Sequence, residues 1–423
     1  MYKKTALLNN IRVITHEMKD RDSVSLGLWV GAGGRYEDEK NKGAAHFLEH
    51  ILFKGTQKYA CEAIKELIEG VGGTLNAFTA EEYTCYFAKI PSKYLVRTFD
   101  VLSDMVFNPL ITKEDVDKER TVILEEIKMY HDQPDSHAIE ILEELMWPNH
   151  PLGMNLAGTF QSVGVMTNED LRSFHRSHYT LNNVVIAACG NLKHQALVDL
   201  TKKKTAKINS RNENPYLRAQ NNQAKSKVKF FRKDVEQMHV ALGAFGLEND
   251  HKDRHAYGLL NVVLGGNMSS RLFDEVREKR GLAYAIGSSA KSLKDTGLFL
   301  VRAGVDSKKI TEALNVILQE LNKMRNEHVS KNEFTRAKDY YCGQLLLGLE
   351  DTLEHMLWLG EGIVSLNKVR TLKEILKEVD KVTIGDIKRV ANVVLKENNM
   401  NLAVVGPLKD GQENELSRVM GVN

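Results

Sequence analysis

His46 and His50 stand four residues apart in Gly43-Ala44-Ala45-His46-Phe47-Leu48-Glu49-His50-Ile51-Leu52-Phe53, with Glu49 beside the second of them. At 3.6 residues per turn, positions 46, 49 and 50 share one face of a helix. The apolar Phe47, Leu48, Ile51 and Leu52 fill the rest of its circumference. Two imidazoles one turn apart can seat a Zn²⁺, and a carboxylate beside them can take a proton from a water that the ion has acidified. The order H-x-x-E-H inverts the commoner zinc-protease motif. The bland alternative for a bare pentapeptide is an amphipathic helix with two surface histidines and a solvated glutamate. Catalytic zinc takes three protein ligands and leaves a position for water, so a third donor must come from elsewhere. The acidic residues from Glu119 to Glu126 are the candidates.

The surrounding pattern gives the elements that must position these groups. Val24 to Val30 is an apolar run of strand length that ends in the Gly-rich turn Gly31 to Gly34. The motif helix ends near Gly55, and a second helix, Cys61 to Glu69, stops at Gly70. Gly72 to Thr79 and Tyr83 to Ile90 read as a hairpin-like pair of strands. Lys93 to Val106 has helical spacing, with Leu95, Phe99, Leu102 and Val106 on one side. Thr112 and Asp115 form a capping-box-like start for the helix that carries Glu119, Glu125 and Glu126. A helix over roughly Ser136 to Leu145, another from Asn168 and the strand Asn183 to Ala188 complete this half.

The second half of the chain replays the first. Val240 to Phe245 repeats Val24 to Trp29 at a step of 216 residues. Thr383 to Ile387 repeats Thr167 to Leu171, and Leu402 to Gly406 repeats Ile186 to Gly190, in the same register. The reading is an α+β protein of two homologous domains, residues 1–205 and 228–423, each an antiparallel-rich sheet packed with helices. A polar segment, 206–227, serves as a solvated linker. The duplication is also an internal control. Aligned on Phe53-Lys54-Gly55 and Leu264-Gly265-Gly266, the second half has Tyr257, Leu260 and Asn261 where the first has His46, Glu49 and His50. The scaffold therefore does not require the three polar groups.

Composition sets the outer bounds. The 423 residues are 42% hydrophobic and 27% charged, and 58 basic against 56 acidic side chains give a net charge of +2. Such a balance argues against a polyanion-binding surface, so no nucleic-acid partner is expected. No apolar run approaches the ~20 residues of a membrane span, and the N-terminus lacks a hydrophobic segment of signal-peptide length, so a cytoplasmic protein without a membrane partner is expected. Cys61, Cys85, Cys189 and Cys342 show no C-x-x-C spacing, which fits reduced thiols better than a cysteine-ligated zinc. His131, His137, His150, His175 and His178 repeat no ligand spacing and read as core or surface histidines.

With both the motif and the acidic helix in view, the chain resembles the pitrilysin/insulinase-type (M16) metallopeptidases over almost its whole length. It is most similar to the short two-domain members, which include bacterial enzymes and mitochondrial processing peptidase. That family takes its third zinc ligand from a glutamate some 75 residues downstream of the motif, which implies Glu126, 76 positions after His50. Glu125 is its neighbour, but it points about 100° away, and Glu126 alone shares a stripe with Glu119 two turns earlier. The resemblance assigns an acidic residue to that earlier position, which Glu119 fills, orienting a ligand or supporting the site. With Thr112 aligned to Ser330, Glu119 falls on Ala337 and Glu126 on Gln344, so these carboxylates vanish together with the histidines.

The resemblance carries further expectations. One Zn²⁺ per chain is held by His46, His50 and Glu126, with Glu49 as general base in the hydrolysis of peptides or unstructured segments. Substrate adds as a strand to the edge at Asn76, Ala77 and Phe78. Arg277 and Tyr284, seven residues apart, grip substrate carbonyls. Two-domain members correspond to half of the larger single-chain enzymes, which implies a homodimer in which Arg277 and Tyr284 serve the partner's zinc. The alternatives are a non-catalytic scaffold or regulatory subunit of the same fold, or a structural zinc protein. The intact set His46, Glu49, His50, Glu119 and Glu126 weighs against the first, and the lack of a fourth, cysteine-type ligand weighs against the second.

Overall fold

A computed structural model describes residues 2–206, 208 and 215–422. Positions 207 and 209–214 of the expected linker lie outside the described residues. The chain forms two compact units. The first comprises Met1–Lys128, Met154–Leu217 and Leu346–Thr371, and the second Met129–Gly153, Arg218–Leu345 and Leu372–Asn423.

The first unit is built on six strands: β1 (Tyr2–Ala6), β2 (Arg12–Glu17), β3 (Ser23–Val30), β4 (Thr74–Thr79), β5 (Thr84–Pro91) and β6 (Val184–Gly190). They lie in the order β1-β2-β6-β3-β5-β4, all neighbours antiparallel except the parallel pair β2 and β6. The central strands β3 and β6 are buried on both faces, which explains their near-continuous apolar sequences. Alternation sorts β3 by face. Val24, Leu26, Leu28 and Val30 join Phe47, Leu48 and Ile51 of the motif helix in one core, whereas Trp29 faces the other way.

That other face is covered by the helix Thr352–Leu366, which comes from the second half of the sequence. Its Met356, Leu359 and Ile363 pack with Ile14, Trp29, Val185 and Cys189. The approach is close at Gly360, where a Cβ would lie 2.0 Å from Trp29 Nε1, so only glycine fits.

The second unit repeats the plan with β7 (Lys227–Arg232), β8 (Gln237–Phe245), β9 (Ala283–Ser292), β10 (Gly297–Asp306) and β11 (Asn401–Gly406), in the order β7-β11-β8-β10-β9. The pair β7 and β11 is parallel, as β2 and β6 are. Its sheet is covered by the helix Pro134–Met146, which comes from the first half of the sequence and packs Ala138, Ile141 and Leu142 against Ala241, Leu298 and Val405. Both units are mixed, mostly antiparallel sheets packed with helices, the α+β class expected from the duplication. Among the described residues no helix is long and apolar enough to cross a membrane.

Candidate metal centre

The helix Ala44–Ile51 holds the motif. Ala44, Ala45, Phe47, Leu48 and Ile51 are buried, and His46, Glu49 and His50 are the half-buried positions between them, as the 3.6 periodicity requires. Its first turn is held from outside the helix. The Glu37 carboxyl, 4% exposed, accepts from the Gly43 N–H at 2.8 Å and the Ala45 N–H at 2.7 Å. These are two of the N–H groups that a helix start leaves without partners. Gly43 itself sits at φ +91°, a left-handed conformation that favours glycine. Burial pushes the Glu37 carboxyl up to about 8 against the pull of those two N–H groups. Neither Glu37 nor its role follows from the motif spacing. The signal available was an acidic residue shortly before a helix that has no Ser, Thr, Asp or Asn at its N-cap.

The helix Lys113–Asp132 supplies the acidic groups and begins with the expected Thr112/Asp115 pair, in which the Asp115 N–H donates to Thr112 Oγ1 at 3.1 Å. Glu119, Ile123 and Ile127 are buried, and Glu126 is half-buried. Glu125 is exposed and pairs with Lys128 at 2.5 Å. Glu126 Oε2 lies 3.4 Å from His50 Nε2 and 3.7 Å from His46 Nε2. Donors 2.0–2.2 Å from one tetrahedral Zn²⁺ stand about 3.4 Å from each other, so these separations match ligands converging on a single ion. The set of two imidazoles and one carboxylate is that of a catalytic zinc with an open position, and it fits the ion.

Around these three, Glu119 Oε1 accepts from His50 Nδ1–H at 3.0 Å, which turns Nε2 toward Glu126. Lys54 Nζ holds the other Glu119 oxygen at 2.5 Å. Burial raises the Glu119 carboxyl, but His50 and Lys54 outweigh it and hold it below the usual range. Burial alone would lower the His50 imidazole. The hydrogen bonds and charges of Glu119 and Glu126 override it and push His50 up to about 9. His46 is lowered to about 4 by burial, with His50 beside it adding to the effect and Glu126 opposing it. Glu49 is raised by burial, opposed by the Thr79 hydroxyl, which donates to Oε2 at 2.6 Å.

Thr79 closes β4, an edge strand of its sheet. Asn76 is exposed there, and its Oδ1 accepts from the Ala77 N–H at 2.8 Å. Phe78 is half-buried, edge-on to Trp29 with ring centroids 5.7 Å apart. Arg277 and Tyr284 belong to the second unit. Arg277, in the helical turn Phe273–Glu278, carries its guanidinium 5.7 Å from the centroid of the Tyr284 ring. Tyr284 is 76% exposed at the start of β9, the edge strand of that sheet.

A duplicated α+β scaffold that carries H-x-x-E-H in one copy and a facing acidic helix defines a class of metallopeptidase. The family models agree. Residues 12–160 match the insulinase (peptidase family M16) domain, and residues 166–341 the peptidase M16 inactive domain. The chain is 37% identical to an uncharacterized zinc protease of Streptomyces coelicolor over 98% of its length and 91% of that protein. It is 30% identical to a probable mitochondrial-processing peptidase subunit beta of Arabidopsis thaliana, over 96% of its length and 78% of that protein. The crystal structure of a protease from Helicobacter pylori shares the fold, with a TM-score of 0.90 at 23% identity over 96% of this chain and 99% of the other. This chain belongs to the M16, insulinase-type, family of metallopeptidases.

Proposed function

We propose that the protein is a zinc-dependent endopeptidase or oligopeptidase of peptides and unstructured polypeptide segments, with one Zn²⁺ per chain held by His46, His50 and Glu126. The observation that carries this reading is the convergence of those three donors at ligand-like separations of 3.4 and 3.7 Å. When bound, the ion lowers the pKa of a water toward ~7 and polarises the scissile carbonyl. Glu49 accepts the proton of the attacking water and passes it to the leaving amine, and Thr79 fixes which oxygen is free to do so. Glu119 holds His50 in the tautomer that presents Nε2.

The substrate backbone adds to the open edge of β4, taking over the Ala77 N–H that Asn76 now satisfies. Recognition of that kind reads the main chain and tolerates varied side chains. Arg277 and Tyr284 donate hydrogen bonds to substrate carbonyls across a homodimer. The protein works in the cytoplasm, with no membrane or nucleic-acid partner. The test is the zinc content of the purified protein together with cleavage of an unstructured peptide. One zinc per chain and chelator-sensitive cleavage, both lost in Glu126→Gln, are expected. Zinc without turnover would point to a non-catalytic subunit, and absence of both would overturn the reading.

A further inference from the structure

On the opposite face of the first unit's sheet from the motif helix, three residues remote in sequence come together: His16 on β2, Cys189 on β6 and His355 on the helix Thr352–Leu366. One donor atom of each lies within 4.8 Å of the others. Cys189 and His355 are buried and His16 is half-buried. The His355 Nδ1–H donates to the Leu349 carbonyl at 3.0 Å, so the lone pair sits on Nε2, where the Tyr2 hydroxyl meets it at 3.2 Å. A backbone carbonyl on one ring nitrogen is the usual support for an imidazole whose other nitrogen binds a metal. The buried Nδ1 of His16 has no hydrogen-bond partner among the described residues. The two rings lie 4.5 Å apart by centroid, and the Tyr2 ring lies edge-on to each.

A fourth donor stands beside them. Met18 Sδ is 3.7 Å from Cys189 Sγ. Two sulfurs each ~2.3 Å from one tetrahedral ion would be about 3.8 Å apart. His16 and Met18 also line a surface cleft with Lys3 and Arg21, which gives an ion a way in. Burial lowers His355, and burial with His355 nearby lowers His16 to about 4, so both rings are neutral, the ligand form. Burial lifts the Cys189 thiol to about 12, so an inert hydrophobic thiol is what the site would be without a cation.

We propose that His16, Cys189 and His355, with the Met18 thioether, form a second metal site of soft donors, suited to copper and separate from the His46/His50/Glu126 centre. Two imidazoles, a thiolate and a thioether select copper over the oxygen-loving divalent ions. Occupation displaces the Tyr2 hydroxyl from His355 and releases one proton from Cys189 to solvent as the sulfur–metal bond forms. The inference does not rest on the peptidase reading, because none of its residues is shared with that centre.

The test is an anaerobic titration of the full-length protein, its zinc centre filled in every form except His50→Ala, with Cu(I) against a chromogenic bicinchoninate chelator. Wild type, His50→Ala and the Cys61→Ser/Cys342→Ser double variant should each take up one equivalent. Cys189→Ser and His355→Gln should lose it. Circular dichroism identifies a variant that has not folded, and the wild-type and remaining-variant titrations decide in that case. No uptake by folded wild type, or uptake that survives in folded Cys189→Ser, would overturn the site.

Discussion

Replacing Glu119 by Gln separates a residue that positions a metal ligand from one that takes part in the chemistry. Its carboxylate is 6% exposed and is shared between His50 Nδ1 at 3.0 Å and Lys54 Nζ at 2.5 Å. Gln keeps the shape and an acceptor for one of these donors, but loses the charge. Its amide group then faces whichever donor its oxygen does not reach. A hydrogen bond to a charged group is worth about 1.5–3 kcal/mol, so losing that assistance should weaken zinc binding roughly 10- to 150-fold. Partners that orient metal-bound histidines typically contribute about 10- to 100-fold, in the same range. The measurement is zinc affinity by competition with a fluorescent chelator, followed by kcat at saturating zinc. Positioning predicts the affinity loss with kcat within a few-fold of wild type. An unchanged affinity, or a kcat that stays collapsed when zinc is saturating, would refute it and place Glu119 in the reaction itself.

Other outcomes follow from the same geometry. Glu49→Gln should retain zinc by elemental analysis while peptide hydrolysis falls about 10²- to 10⁴-fold, and wild-type turnover would dismiss the general-base role. A mixture of His50→Ala and Arg277→Ala proteins should regain about a quarter of wild-type activity if subunits exchange and Arg277 acts across a dimer; no recovery in mass-verified mixed dimers would argue against sharing. The contribution of Glu37 to thermal stability should fall as pH rises from about 5 to 8. The folded Glu37 carboxyl, raised from 4.5 to about 8, keeps a proton there that the unfolded chain has already lost. Glu37→Gln cannot titrate, so its melting temperature should change less over that window while lying below wild type at the acidic end, and parallel curves for the two proteins would rule this out.

Much of this arrangement is legible in the sequence, and the reasons are specific. The half-buried positions of the motif helix are the three that helical spacing puts on one face, and Glu125 turns to solvent while Glu126 turns inward, because a step of one residue rotates a helix by about 100°. The strand equivalences survive as matching sheet orders, parallel pair included. What stayed hidden depends on contacts between residues distant in sequence. Thr79 on Glu49, Lys54 on Glu119 and Glu37 on the first turn of the motif helix are single side chains with no period to betray them. The exchange of Pro134–Met146 and Thr352–Leu366 between the two halves of the sequence is equally silent, since an apolar helix face does not state which sheet it covers.

The second copy of the scaffold shows what the first had to give up to keep its site. In the helix Arg254–Leu264, Tyr257 and Leu260 are buried, at 2% and 0% exposure, and Asn261 accepts from the Ser288 hydroxyl at 2.7 Å. In this copy the same three positions turn to packing and one hydrogen bond, although the buried Tyr257 hydroxyl has no hydrogen-bond partner among the described residues. In the first copy they carry two imidazoles and a carboxylate whose burial is opposed by desolvation at all three. Neighbouring carboxylates override that cost at His50, whereas His46 Nδ1 is buried without a hydrogen-bond partner among the described residues. On the proposed reading, an ion drawn to both rings and to Glu126 would add stabilisation, because it would bind the folded site more tightly than the unfolded chain.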